Sequence, residues 1–167
     1  IVLDKVQSGI SRNAYEYVMY ALASNDPEKA NLVYQFVTYG FTIGRRVTDA
    51  MQIPCVKAIF ALQRRVRNEA AWFREILRFQ EVSVEPSVLL AVIEPDHRIL
   101  TMIASHFADR LNPERFMIYD KGHCEVMIHV PEQPWYIRAL TVQECAQLDV
   151  LLEQKEEYVI LWKTFFD

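Results

Sequence analysis

Val88-Leu89-Leu90-Ala91-Val92-Ile93, followed at once by Glu94-Pro95-Asp96-His97, is the stretch on which the fold turns. A short apolar run with no polar alternation reads as a central strand covered on both faces. Asp96 then supplies an N-cap for a helix whose apolar stripe is Leu100, Ile103, Ala104, Phe107 and Leu111, stopped by Asn112-Pro113. Phe116 to Tyr119 reads as a second strand, and Asp120-Lys121-Gly122 as a tight turn into a third. In that third strand Cys124, Val126, Ile128 and Val130 alternate with His123, Glu125, Met127 and His129, which predicts one buried and one polar face. Trp135 to Leu140 completes a β-α-β-β-β unit with a small mixed or antiparallel sheet.

Working outward, everything before about residue 80 reads as helix. Ser11 caps a helix to about Ala23, and Asp26-Pro27 opens a second that ends near Gly40 or Gly44. A short helix from about Arg45 to Met51 precedes a long one from Pro54 to about Phe79, whose buried face is Ile59, Leu62, Val66, Ala70, Phe73 and Leu77. On the other side, Thr141 with Glu144 forms a capping box, and an amphipathic helix carries Tyr158, Leu161, Trp162 and Phe165. The expected architecture is α+β in one domain over 1–167: helices to about 80, the sheet over about 82–140, closing helices over about 141–167.

The chain is 51% hydrophobic and has no apolar run of about 18 residues or signal-peptide pattern, so neither secretion nor membrane insertion is expected. Cys55, Cys124 and Cys145 are odd in number and far apart, which predicts unpaired thiols, no metal and a reducing cytoplasm. No cofactor fingerprint is present: there is no phosphate-binding glycine loop with lysine, no dinucleotide motif and no nucleophile elbow.

A net charge of -4 excludes a protein that coats nucleic acid all over. The charge is uneven, however: between Arg45 and Arg78, eight basic residues face three acidic ones, a surplus of five. On the long helix Lys57, Arg64, Arg67, Arg74 and Arg78 share one arc of roughly 100° and span about 32 Å. These five, with Arg45 and Arg46, are the candidate nucleic-acid contacts; the alternative is a solvated face. Gly40 and Gly44 before Arg45-Arg46 suit an anion at a helix junction, or simply two glycine C-caps.

Glu94, Asp96 and His97 at the strand-to-helix junction, with His106 and Tyr119, are candidates for acid–base work, against ordinary helix-start chemistry. His97 and His106 lie on opposite sides of their helix, and His123 and His129 are about 20 Å apart, so no metal site is expected.

Several stretches together resemble one family: Tyr39-Gly40-Phe41-Thr42-Ile43-Gly44, Asn68-Glu69-Ala70, Phe73-Arg74-Glu75-Ile76-Leu77-Arg78-Phe79, Glu94-Pro95-Asp96-His97-Arg98-Ile99-Leu100, His106-Phe107-Ala108-Asp109-Arg110, Met117-Ile118-Tyr119-Asp120-Lys121, and Glu157-Tyr158 with Leu161-Trp162-Lys163-Thr164-Phe165-Phe166. They are similar to the bacterial DNA-metabolism proteins that carry a domain of unknown function and accompany a radical-SAM DNA repair or modification protein. Similar domains are fused to uracil-DNA glycosylase-type domains. The resemblance implies further family segments before Ile1 and after Asp167, and carries over no catalytic residue.

The expected function is therefore an accessory DNA-binding protein in DNA repair or modification, acting with a radical-SAM partner. The rivals are a nucleic-acid-processing enzyme with its site at Glu94 to His97, and a protein-interaction module using Tyr158, Trp162 and Phe166. What separates them is whether the polar residues converge.

Overall fold

A computed structural model of the chain describes residues 2–82 and 87–154, in two compact units: Ile1–Ala71 with Asp96–Ile99, and Trp72–Pro95 with Leu100–Asp167. The class is α+β: helices come first, then a mixed sheet, then a closing helix.

The first unit is helical: α1 (Val2–Gly9), α2 (Arg12–Ala23), α3 (Lys29–Ile43), a 3-10 turn at Gly44–Asp49, and α4 (Pro54–Ile76) as far as Ala71. α1 has no counterpart in the sequence reading. Ser11 starts α2 as expected, its hydroxyl accepting from the Ala14 N–H at 3.1 Å. α3 begins at Lys29, two residues beyond Pro27, because the Asp26 carboxylate takes the Glu28 N–H at 2.9 Å and the Arg65 guanidinium at 3.3 Å. The core gathers Val6, Ile10, Val18, Phe36, Val56, Ile59 and Leu62.

The two glycines at the end of α3 have separate reasons. A Cβ on Gly40 would meet Ile10 Cδ1 at 2.5 Å, so this position lets α1 and α3 approach. Gly44 has φ +65° and ψ -148°, a conformation close to one open only to glycine.

In the second unit the sheet order is β1 (Gln80–Val82), β2 (Val88–Ile93), β3 (Phe116–Asp120), β4 (Glu125–His129), β5 (Tyr136–Ala139). β2 and β3 are parallel, joined through α5 (Leu100–Arg110), and the other pairs are antiparallel. β1 was not anticipated: three residues are too few to show a period. α4 stops at Ile76, short of the expected Phe79, and the Phe79 ring stands edge-on to Phe107 and Phe116, each 5.4 Å away. α5 likewise begins four residues after Asp96, which is not its cap.

One sheet face carries Leu90, Met117, Val126 and Ile128 against Leu140 and Leu152, with Tyr119 on Leu148 of α6 (Val142–Gln154). The opposite face carries Phe116, Ile118, Met127 and His129, all buried. The expected polar face of β4 is thus a correction: His129 stacks on its cross-strand partner Phe116 at 4.8 Å, and its Nδ1 lies 3.0 Å from the Glu114 carbonyl. At the start of α6 the capping box forms as expected, with Thr141 N–H donating to Glu144 at 2.7 Å and Glu144 N–H donating back at 3.3 Å.

The cysteines also differ from expectation. Cys124, at φ +52° in the β3–β4 turn, is paired with Cys145 in the first turn of α6, their Cα atoms 6.0 Å apart. Spacing along the chain hid a proximity that only the sheet creates. Cys55 is buried and free. The helix expected through Tyr158, Leu161, Trp162 and Phe165 lies outside the described residues.

Candidate nucleic-acid interface

The apolar periodicity of α4 turns Ile59, Leu62 and Val66 inward and leaves Lys57, Arg64 and Arg67 exposed. Among the described residues no carboxylate pairs with these three cations, whereas their neighbour Arg65 is tied to Asp26. From Lys57 to Arg67 the helix rises about 15 Å. The expected 32 Å ridge is therefore shortened. Arg74 is half-buried and already engaged, and Arg78 falls beyond the helix end, where it lines a cleft with Arg110.

Arg45 and Arg46 are exposed in the 3-10 turn, and Arg46 borders an open depression of about 640 Å³ with Thr42, Ile43, Asp49 and Gln52. The Gly44 N–H donates to the Gly40 carbonyl and is not available to an anion.

The residues proposed for acid–base work are divided between the units: Asp96 and His97 belong to the first, Glu94, His106 and Tyr119 to the second. The Asp96 and His97 N–H groups donate to the two Glu69 carboxylate oxygens at 2.7 and 3.0 Å, and His97 Nδ1 accepts from the Asn25 N–H at 3.3 Å. His97 is buried, so these groups serve to hold the segment. His106 is exposed on α5, its ring edge-on to Phe107. Glu94 is exposed after β2.

Two polar groupings sit at the carboxyl end of β3, and strand alternation sends them to opposite faces of the sheet. Tyr119, on the α6 face, donates its hydroxyl to Asp149 at a long 3.4 Å, and Lys121 lies 3.7 Å from the same carboxylate. Asp120, fully buried, accepts from the His123 N–H at 3.1 Å and lies 2.8 Å from His123 Nδ1. Sequence reasoning missed this pair, although a buried-turn Asp three residues before a His was a usable signal. Burial is the largest cause raising the Asp120 carboxyl above its ordinary 3.8, with the His123 contacts opposing it. Among the described residues no cluster of three or more His, Cys, Asp or Glu is placed to hold a metal ion.

Burial first, then the negative charge of Asp149, pushes the Tyr119 phenol from 10.0 up to about 12. A raised pKa in the folded state stabilises the fold fully below the unfolded value and is lost as pH rises through the folded one. Alkaline titration should therefore show one of the eight tyrosines ionising at about 12. Stability should fall by up to about 3 kcal/mol between pH ~10 and ~12, and Tyr119→Phe should remove that part of the fall. A complete phenol titration near pH 10 would contradict it.

The fold and its exposed cations define an α+β protein with a basic helix face. By a match over residues 27–167, the chain belongs to the family described as a domain of unknown function, DUF4130. No curated protein and no solved structure matches it. No helix among the described residues is long and apolar enough to cross a membrane.

Proposed function

We propose that the chain is an accessory DNA-binding protein in DNA repair or modification, gripping the phosphate backbone with Lys57, Arg64 and Arg67 and with Arg45 and Arg46. The observation that carries this reading is the set of exposed guanidiniums left without carboxylates among the described residues in a chain whose net charge is negative. Uncompensated arginines present planar donor forks that match phosphate oxygens. The separation of the Tyr119 and Asp120 groupings onto opposite faces favours binding over catalysis. The radical-SAM partner rests on the resemblance described for the sequence; the cytoplasmic setting was read from the cysteine pattern, which the pairing of Cys124 with Cys145 no longer supports; and the protein-interaction reading on Tyr158, Trp162 and Phe166 falls outside the described residues.

Changing Arg64 and Arg67 to glutamine is expected to weaken duplex DNA binding roughly tenfold and to flatten the salt slope by about 2, since each lost phosphate contact removes about 0.9. The loss should be nearly the same for unrelated sequences, and the melting temperature should not change. Full affinity with an unchanged salt slope would overturn the proposal.

A further inference from the structure

The second unit holds a cleft of about 440 Å³ at the end of α4, lined by Glu75, Ile76, Arg78, Phe79, Arg110 and their neighbours. That volume lies within the range of small-ligand pockets. Its floor is fixed, because the half-buried Phe79 ring is wedged edge-on against Phe107 and Phe116. Its rim carries two exposed guanidiniums, Arg78 and Arg110, with no hydrogen-bond or ion-pair partner among the described residues. Basic residues at helix ends often complement the dipole. Here neither guanidinium bonds a terminal carbonyl, so its donor fork remains open.

We propose that this cleft binds single-stranded nucleic acid, taking one unstacked base against Ile76 and Phe79 and the adjoining phosphate between Arg78 and Arg110. This deepens the nucleic-acid reading above and rests on it. Glu75, exposed on the same wall, accepts from an exocyclic amine of the base and repels a second phosphate, which sets the direction of the strand. One helical turn before Ile76, the indole of Trp72 is 53% exposed and packs edge-on to Phe73 at 4.9 Å, a platform for the next base. A base paired within a duplex cannot enter a cleft of this kind; a single strand can.

The test compares a labelled short oligodeoxycytidylate, whose base carries the exocyclic amine, with a duplex of mixed sequence, titrated against the wild-type chain, Arg78→Gln/Arg110→Gln and Arg64→Gln/Arg67→Gln. The cleft variant should lose roughly tenfold in single-strand affinity and keep its duplex affinity. Oligodeoxycytidylate should quench tryptophan emission, and Trp72→Phe should abolish the quench. Both arginines are exposed, so unchanged circular dichroism and melting are expected. Duplex binding that depends on Arg64 and Arg67, with single-strand affinity untouched in the cleft variant, overturns the cleft alone. A cleft-dependent single strand with a duplex indifferent to Arg64 and Arg67 sinks the α4 reading alone. No binding of either probe, or displacement of the oligonucleotide by a phosphopeptide at equal concentration, overturns the cleft proposal.

Discussion

Phe116→Ala is expected to lower the free energy of unfolding by about 3–5 kcal/mol, as complete truncation of a core aromatic does. Phe116 is wholly buried, and its ring is held between Phe79, edge-on at 5.4 Å, and His129, stacked at 4.8 Å. Truncation removes the contact that draws residue 79 into the core and uncovers a histidine that has no water to turn to. The measurement is the urea midpoint at constant slope, with Phe116→Leu as a smaller truncation expected to lose less than the alanine variant. A loss below about 1 kcal/mol for the alanine variant would show that the ring does not sit between these partners.

Asp120→Ala should cost about 2–4 kcal/mol, because it leaves the His123 N–H and ring nitrogen facing an empty site at the buried end of β3. Asp120→Asn keeps an acceptor for the turn and should cost far less. The two also differ in pH dependence. Burial, the largest cause, raises the folded pKa of Asp120 above 3.8, so its stabilising contribution is complete below that value and is lost as pH rises through the folded pKa. The stability of Asp120→Asn relative to the wild type should therefore improve as pH rises through the folded pKa of Asp120. A difference independent of pH would mean that the carboxylate is solvated.

What the sequence made legible followed from periodicity and caps. Ser11, Pro54, Thr141 and Glu144 punctuate real helices, and the apolar run 88–93 is an interior strand of the sheet, as expected, pairing in parallel with β3. The failures share one cause, tertiary contact acting on residues whose local pattern says something else. Phe79 leaves a helix it could have extended because two aromatic rings await it. His129 looks like a solvent-facing polar residue by alternation, yet it is buried by stacking and by the Glu114 carbonyl. Cys124 and Cys145 are 21 residues apart in sequence and neighbours in space. For the candidate site, the basic character of α4 was readable from composition, but which arginines remain uncompensated was not: Asp26 neutralises Arg65 from a loop 39 residues away. Arg110 drew no attention because its meaning depends on lying across a cleft from Arg78.

The four residues Asp96–Ile99 leave the sheet unit between β2 and α5 and belong to the helical unit, fastened there by the Glu69 carboxylate, by His97 accepting from Asn25, and by the Arg98 N–H donating to Ala23 at 2.9 Å. Neither unit is therefore a continuous stretch of gene. A recombination event that moved the sheet into another protein would carry away a staple of the helices, and one that moved the helices would leave it behind. Separating the two units would take three breaks in the chain, after Ala71, Pro95 and Ile99, so no single cut yields either one intact.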